Sequence, residues 1–149
     1  MDFEAICDAI AARYAPGTLA TPSGAQAMRA SYGQAPHSMP ATPAVVVRPR
    51  DGEVILGSGQ VMGQHNIDVE FFLSKAPGDI ERVETQRQKW LPYLLTATYG
   101  QLKLGLAGTV DKAIPMGWEF TELPYGGDSY YGIIVHLRVW TTETQALTP

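Results

Sequence analysis

A single stretch near the C-terminus limits the folds open to this chain. From Tyr131 to Trp140 apolar and mixed positions alternate without a slip. Tyr131, Ile133, Val135, Leu137 and Val139 fall on one side. Gly132, Ile134, His136, Arg138 and Trp140 fall on the other. A period of two is the mark of a strand with one buried face. Just upstream, Pro124–Asp128 reads PYGGD, and Gly126 and Gly127 can take the positive φ that a tight reversal needs. Trp118–Thr142 is therefore expected to form a long β-hairpin. Such a strand requires a sheet beside it and an apolar layer over its buried face.

The rest of the chain supplies both. Asp2 is placed to cap a helix running to about Tyr14, with Phe3, Ile6, Ile10 and Tyr14 on one stripe and Cys7 beside it. Pro16 and Gly17 end it. Residues 18–43 are rich in Pro, Gly, Ala, Ser and Thr, and form either a surface connection or a contact arm. Within them Gln26–Tyr32 fits a short strand or a turn or two of helix. Ala44–Arg48 reads as a short strand. Asp51-Gly52 is a turn signal that would pair it with Glu53–Leu56. The glycines of Gly57–His65 suggest a bend, bulge or flexible loop. Asn66–Ser74 alternates again and is a strand. Asp79 is expected to cap a helix from Ile80 to about Tyr99, with Ile80, Val83, Arg87, Trp90, Leu91, Leu94, Leu95 and Thr98 facing inward. Pro92 should kink or split that helix, because proline removes a backbone bond and crowds the preceding turn. Leu102–Gly108 is a connection or weak strand, Pro115 and Gly117 interrupt the lead-in to the final hairpin, and Glu143–Pro149 is a polar tail. The element order predicts one α+β domain over residues 1–149: an antiparallel meander with a long C-terminal hairpin, covered on one face by two helices.

Composition narrows the functions more than it selects one. A chain of 149 residues suits one domain with its own core. Its charged share is 17%, below the usual quarter, which suits surface that partners cover. Net charge is −4 and no Lys/Arg cluster occurs, which argues against a nucleic-acid groove. One cysteine, Cys7, permits no internal disulfide and has no close basic neighbour to activate it. The N-terminus lacks the basic and apolar regions of a signal peptide, and no apolar run reaches membrane-span length, so a soluble cytoplasmic product is expected.

No catalytic set stands out. His65-x-x-Asp68 has no second His or Cys at ligand spacing, and unrelated surface positions are the simpler reading. Gly57-Ser58-Gly59 precedes a strand, whereas a phosphate loop must open a helix. Asp79, Glu81 and Glu84 sit where a helix N-terminus favours acids. Tyr125, Tyr130, Tyr131 and Trp140 gather at the hairpin, as core or rim packing or as a subunit interface. The expectation is a protein that is not an enzyme, with no cofactor and no metal site.

The chain resembles the tail terminator proteins of long-tailed bacteriophages. The likeness is carried by the amphipathic helix Phe3–Tyr14, by MPATPAVVVRP (Met39–Pro49) and by IDVEFFLS (Ile67–Ser74). GDIERVE (Gly78–Glu84) and LPYGGDSYYGIIVHLRVWT from Leu123 complete it. It is a likeness of order and flavour, with no catalytic motif to transfer. It implies a virion protein of the tail and neck: a homo-oligomeric, usually hexameric ring that caps the tail tube, stops its polymerisation and joins it to the head connector. The tail tube protein and a connector or stopper protein would be its partners. DNA would pass through the lumen without sequence-specific binding, and no membrane would be involved. Pro92 and the long connection depart from a minimal version of that plan, so another head–tail connector or stopper is the alternative. A small soluble ligand-binding domain or enzyme is the competing class. Ser58, Gln60, His65, Tyr130, His136, Arg138 and Trp140 are the candidate residues for subunit or tube contacts.

Overall fold

The computed structural model describes residues 2–39 and 41–144. Of the expected loose tail from Glu143, the first two residues instead extend the last strand and pair with Val61 and Gln60, and the rest lies outside the described residues. Helix α1 spans Phe3–Arg13 and strand β1 Ala30–Tyr32. Strands β2 (Ala44–Gly57) and β3 (Gln60–Lys75) follow, then helix α2 (Ile80–Thr96) and strands β4 (Val110–Tyr125) and β5 (Asp128–Thr144). The five strands form one sheet in the order β1-β2-β3-β5-β4. The fold is α+β, as the sequence predicts, with both helices packed into one apolar cluster on one face.

The C-terminal hairpin forms as its alternation requires. Tyr125 pairs with Asp128 across Gly126 and Gly127, whose φ values are +58° and +85°. Two consecutive positive φ angles match the right-handed twist of the strands they join. The side of β5 carrying Tyr131, Ile133, Val135, Leu137 and Val139 is buried, while Ile134, His136, Arg138 and Trp140 on the other side are half-buried.

The sheet is not a simple meander. β5 lies between β3 and β4, so β4 runs parallel to β3 with one strand between them. Parallel strands need a crossover, and α2 with the turns after it provides that connection. β1 adds a short parallel pairing of Ala30–Tyr32 with Ala44–Val46, which makes the sheet mixed; of Gln26–Tyr32 only these last three residues are strand, and the rest is irregular.

The first hairpin turns at a different place from the one expected. β2 runs on through Asp51-Gly52 and reverses at Ser58-Gly59, where Gly57 pairs with Gln60 and Gly59 has a φ of +71°. Pro49 is accommodated by a register shift between Pro49 and Asp51. Gly52 serves as a close-approach residue in a strand. A Cβ there would come within 2.6 Å of the Gln64 carbonyl oxygen. Likewise Val110–Tyr125 is one strand, with register shifts that absorb the Pro115 and Gly117 interruptions. Residues 102–108 are turns, not a strand.

The helices are fixed by their apolar stripes and caps. Asp2 and Asp79 accept hydrogen bonds from the backbone N–H groups of Ala5 and Arg82, satisfying donors that the first turn leaves free. α1 buries Ile6, Cys7, Ile10 and Ala11, and α2 buries Val83, Arg87, Trp90 and Leu94. Ile80 is the exception to the expected stripe, being 57% exposed at the first turn. α2 continues across Pro92 as one helix. The Tyr14 hydroxyl donates to the Leu94 carbonyl and the Arg13 Nε to the Ala97 carbonyl, joining the two helices.

The described residues of 18–43 wrap the β2 edge of the sheet beside Ala44–Val46. Met28 is buried in the helix-side core, and Ser31 Oγ donates to the Ala11 carbonyl at 2.6 Å. Tyr32 and Met39 pack on the opposite face against the small cluster of Val46, Phe72, Leu123 and Tyr130. There the Tyr125 hydroxyl donates to the Pro36 carbonyl. Much of this segment's contact capacity is thus used within its own chain.

Candidate interface surfaces

The face of the sheet away from the helices divides into two parts. Near the Gly126-Gly127 turn the Tyr32–Met39 segment covers it. Beyond that cover lies a band of partnered polar groups across the strands. Arg48 pairs with Glu70. Arg50 Nε lies 3.2 Å from Asp68 Oδ1, and His136 Nδ1 lies 2.7 Å from the same oxygen. Arg138 Nε donates to Asn66 Oδ1 at 3.1 Å. Trp140 then stacks with two cations: Lys112 Nζ stands 4.4 Å and the Arg138 guanidinium 5.8 Å from its ring centroid. The band arises from register. Asp68 is directly opposite His136, Asn66 opposite Arg138, and Gln64 opposite Trp140. Ion pairs this open to water contribute little to stability. Their effect is to hold long side chains in place on a face that is neither core nor freely hydrated.

The second surface is the end of the β2–β3 hairpin. α1 reaches as far as His65, whose ring meets Phe3 edge-on at 5.2 Å between centroids. Beyond that level Glu53–Gly57 of β2 is exposed throughout. Five residues at about 3.3 Å each carry the arm roughly 17 Å past the helix. The end of β5 runs alongside it, with Thr144 opposite Gln60. The arm is apolar on both faces: Val54, Ile55, Leu56 and Met62 are 65%, 48%, 74% and 38% exposed.

A third surface lies at the other lateral edge, on β4. Trp118 and Met116 are 48% and 55% exposed, and the Trp118 ring leans on Phe120 at 5.0 Å. Behind it Arg87 is buried. It donates to the Thr121 carbonyl at 2.7 Å and to Glu84 at 2.8 Å, and lies over the rings of Phe120 and Tyr131.

The candidate residues from the sequence separate across these surfaces. Ser58 and Gln60 are exposed at the arm's turn. His136, Arg138 and Trp140 share the polar band. His65 is on the opposite, helix-side face, buried, with Nε2 3.0 Å from Thr141 Oγ1. Burial lowers its pKa and holds the ring neutral. A Cβ on Gly63 would come within 2.5 Å of His65 Nε2, so this glycine makes room for the imidazole. Tyr130 is buried under the loop, edge-on to Phe72 at 5.6 Å. Neither His65 nor Tyr130 presents much surface to a partner. His65 and Asp68, three apart in a strand, point to opposite faces, so they are not a ligand pair. The Asp68–His136 contact had no local signal, because it depends on which strand pairs with which. Glu53–Leu56 was expected as a strand; that the expected loop through His65 is instead strand from Gln60, and that this end stays exposed, was not legible.

Among the described residues no group of three or more His, Cys, Asp or Glu is arranged to hold a metal ion. Cys7 is buried in α1, and burial pushes its thiol up to about 11. A hollow between α2 and β3 is lined by Pro43, Leu73, Lys75, Asp79, Arg82 and Val83. Its charged groups are exposed and no buried polar group converges on it. No helix among the described residues is long and apolar enough to cross a membrane. No protein-family model and no curated protein matches the chain.

Proposed function

We propose that this chain is a structural subunit of a bacteriophage neck, a ring-forming tail terminator that caps the tail tube and joins it to the head connector. The sequence resemblance supplies the family. The observation that supports it is the projecting arm, whose Val54, Ile55, Leu56 and Met62 are left uncovered by the chain's own fold. A long apolar strand edge held out in water invites association unless a partner covers it. In the terminator reading the arm meets the tail tube, and the partnered polar band faces a neighbour or the lumen. A heterologous interface that closes on itself makes the ring. Acidic net charge suits a wall past which DNA slides without being gripped.

The test is electron microscopy and light scattering of the purified chain mixed with tail tubes of the cognate particle. Rings at one tube end, and tubes that no longer elongate, are the expected result. Tubes that grow unchanged in a molar excess of the chain would sink the proposal. Leu56→Glu on the arm should abolish capping and leave the melting temperature unchanged.

A further inference from the structure

The two lateral edges of the sheet point to how one copy meets the next. β1 covers only Ala44–Val46 of β2, so Val47–Gly57 has no neighbouring strand among the described residues. β4 has none on its outer side. Both edges therefore carry unpaired backbone donors and acceptors, which another strand can satisfy. The directions are compatible. β2 is antiparallel to β3, and β4 is parallel to it, so a β2 edge meets a β4 edge antiparallel when copies stand side by side.

The rows of the sheet make the match specific. Glu53 is level with Gln64, Gln64 with Trp140, and Trp140 with Lys112. Val47 is level with Val69, Val69 with Val135, and Val135 with Trp118. Continued without offset into a second copy, these rows set an acid opposite a base, and bring exposed Trp118 level with Val47, which is itself buried in the core. Opposite charges are among the cross-strand pairs that favour a sheet. Val47–Val54 of β2 is level with Val110–Trp118, the segment carrying exposed Met116 and Trp118, and Ile55–Gly57 projects past it. The two edges differ, so the contact is head-to-tail and closes into a ring or runs on as a filament.

From this we infer that the Val47–Val54 edge of β2 pairs antiparallel with the Val110–Trp118 edge of β4 in a second copy of this chain, with Glu53 beside Lys112. The inference deepens the ring reading by naming the surfaces that join subunits. It rests on that reading only in requiring self-association.

A zero-length carbodiimide, which joins a carboxylate to an amine as an amide and leaves as its urea, tests it on the unaltered chain. Within one copy Glu53 and Lys112 are three strand spacings apart, about 14 Å, too far for such a bond. A Glu53–Lys112 cross-link found by peptide mapping in a dimer band, for the chain alone at high concentration or capped on tubes, is the expected result. Glu53→Gln or Lys112→Gln should remove it, and Trp118→Glu should weaken association at least ten-fold. Rings or dimers cross-linked only through other residues would overturn the inference and leave the ring reading intact. A Glu53–Lys112 cross-link in a chain that ignores tubes would uphold the pairing and refute the terminator role. A chain monomeric under both conditions would overturn both.

Discussion

The three tryptophans stand in three different environments, and replacing each by alanine separates folding from assembly. Trp90 is fully buried in the middle of α2, its ring 5.0 Å from that of Phe71. Trp140 is half-buried on the open face between Lys112 and Arg138. Trp118 is 48% exposed. Truncating a fully buried aromatic costs about 3–5 kcal/mol through lost burial and the cavity left behind. Unfolding entropy of about 2.1 cal/mol/K per residue gives a chain of this length roughly 0.3 kcal/mol/K. Trp90→Ala should then lower the melting temperature by about 10–16 °C. Trp140→Ala loses two cation–π contacts worth about 0.5–1 kcal/mol each, a drop of roughly 3–6 °C. Trp118→Ala should shift the melt by less than about 3 °C, as exposed substitutions do. Thermal unfolding followed by circular dichroism gives the three values. Light scattering on the same samples should rank them differently, with Trp118→Ala most impaired in association. A Trp90→Ala melt within about 3 °C of the parent would show that α2 is not docked on the sheet.

Other expectations follow from single contacts. A methyl added at Gly132 would lie 2.5 Å from the Phe71 carbonyl oxygen, which is backbone and cannot swing away. Gly132→Ala should cost about 1–3 kcal/mol in denaturant unfolding. His65 is held neutral by burial, so its folded pKa lies below the unfolded value of about 6.5. Its contribution is full above that pH and is lost as pH falls below it. The stability difference between the parent and His65→Gln should therefore narrow between about pH 8 and pH 5. Cys7, buried and with its thiol raised to about 11, should react with a disulfide reagent at neutral pH only as fast as the chain opens. Prompt labelling without denaturant would place α1 off the sheet.

Some of this was readable from the chain because its causes are local. The β5 alternation states which side chains go inward. The consecutive glycines at 126 and 127 permit a turn few other pairs can make. Asp2 and Asp79 announce helix starts by the bonds they can accept. Where local signals competed with pairing, they misled. Asp51-Gly52 looks like a reversal. With Gln60–Asn66 available as a partner, continuing the ladder satisfies more backbone groups than turning early, and the glycine is needed for close approach. Pro92 allowed a kink or a split, and the split does not occur. The chain keeps α2 whole because Trp90 and Leu94, on either side of the proline, are both buried in the same core.

The sequence by itself determined the strands' inner faces, the final turn and both helix starts. Only the tertiary structure decided that β5 sits between β3 and β4, that His65 and Asp68 part to opposite faces, and which apolar residues stay uncovered. The physical reason is range. Dihedral preference, capping and alternation act over a few neighbours. Strand order and exposure depend on contacts such as Asp68 with His136 or Tyr14 with Leu94, between residues far apart in the chain, which no local pattern encodes.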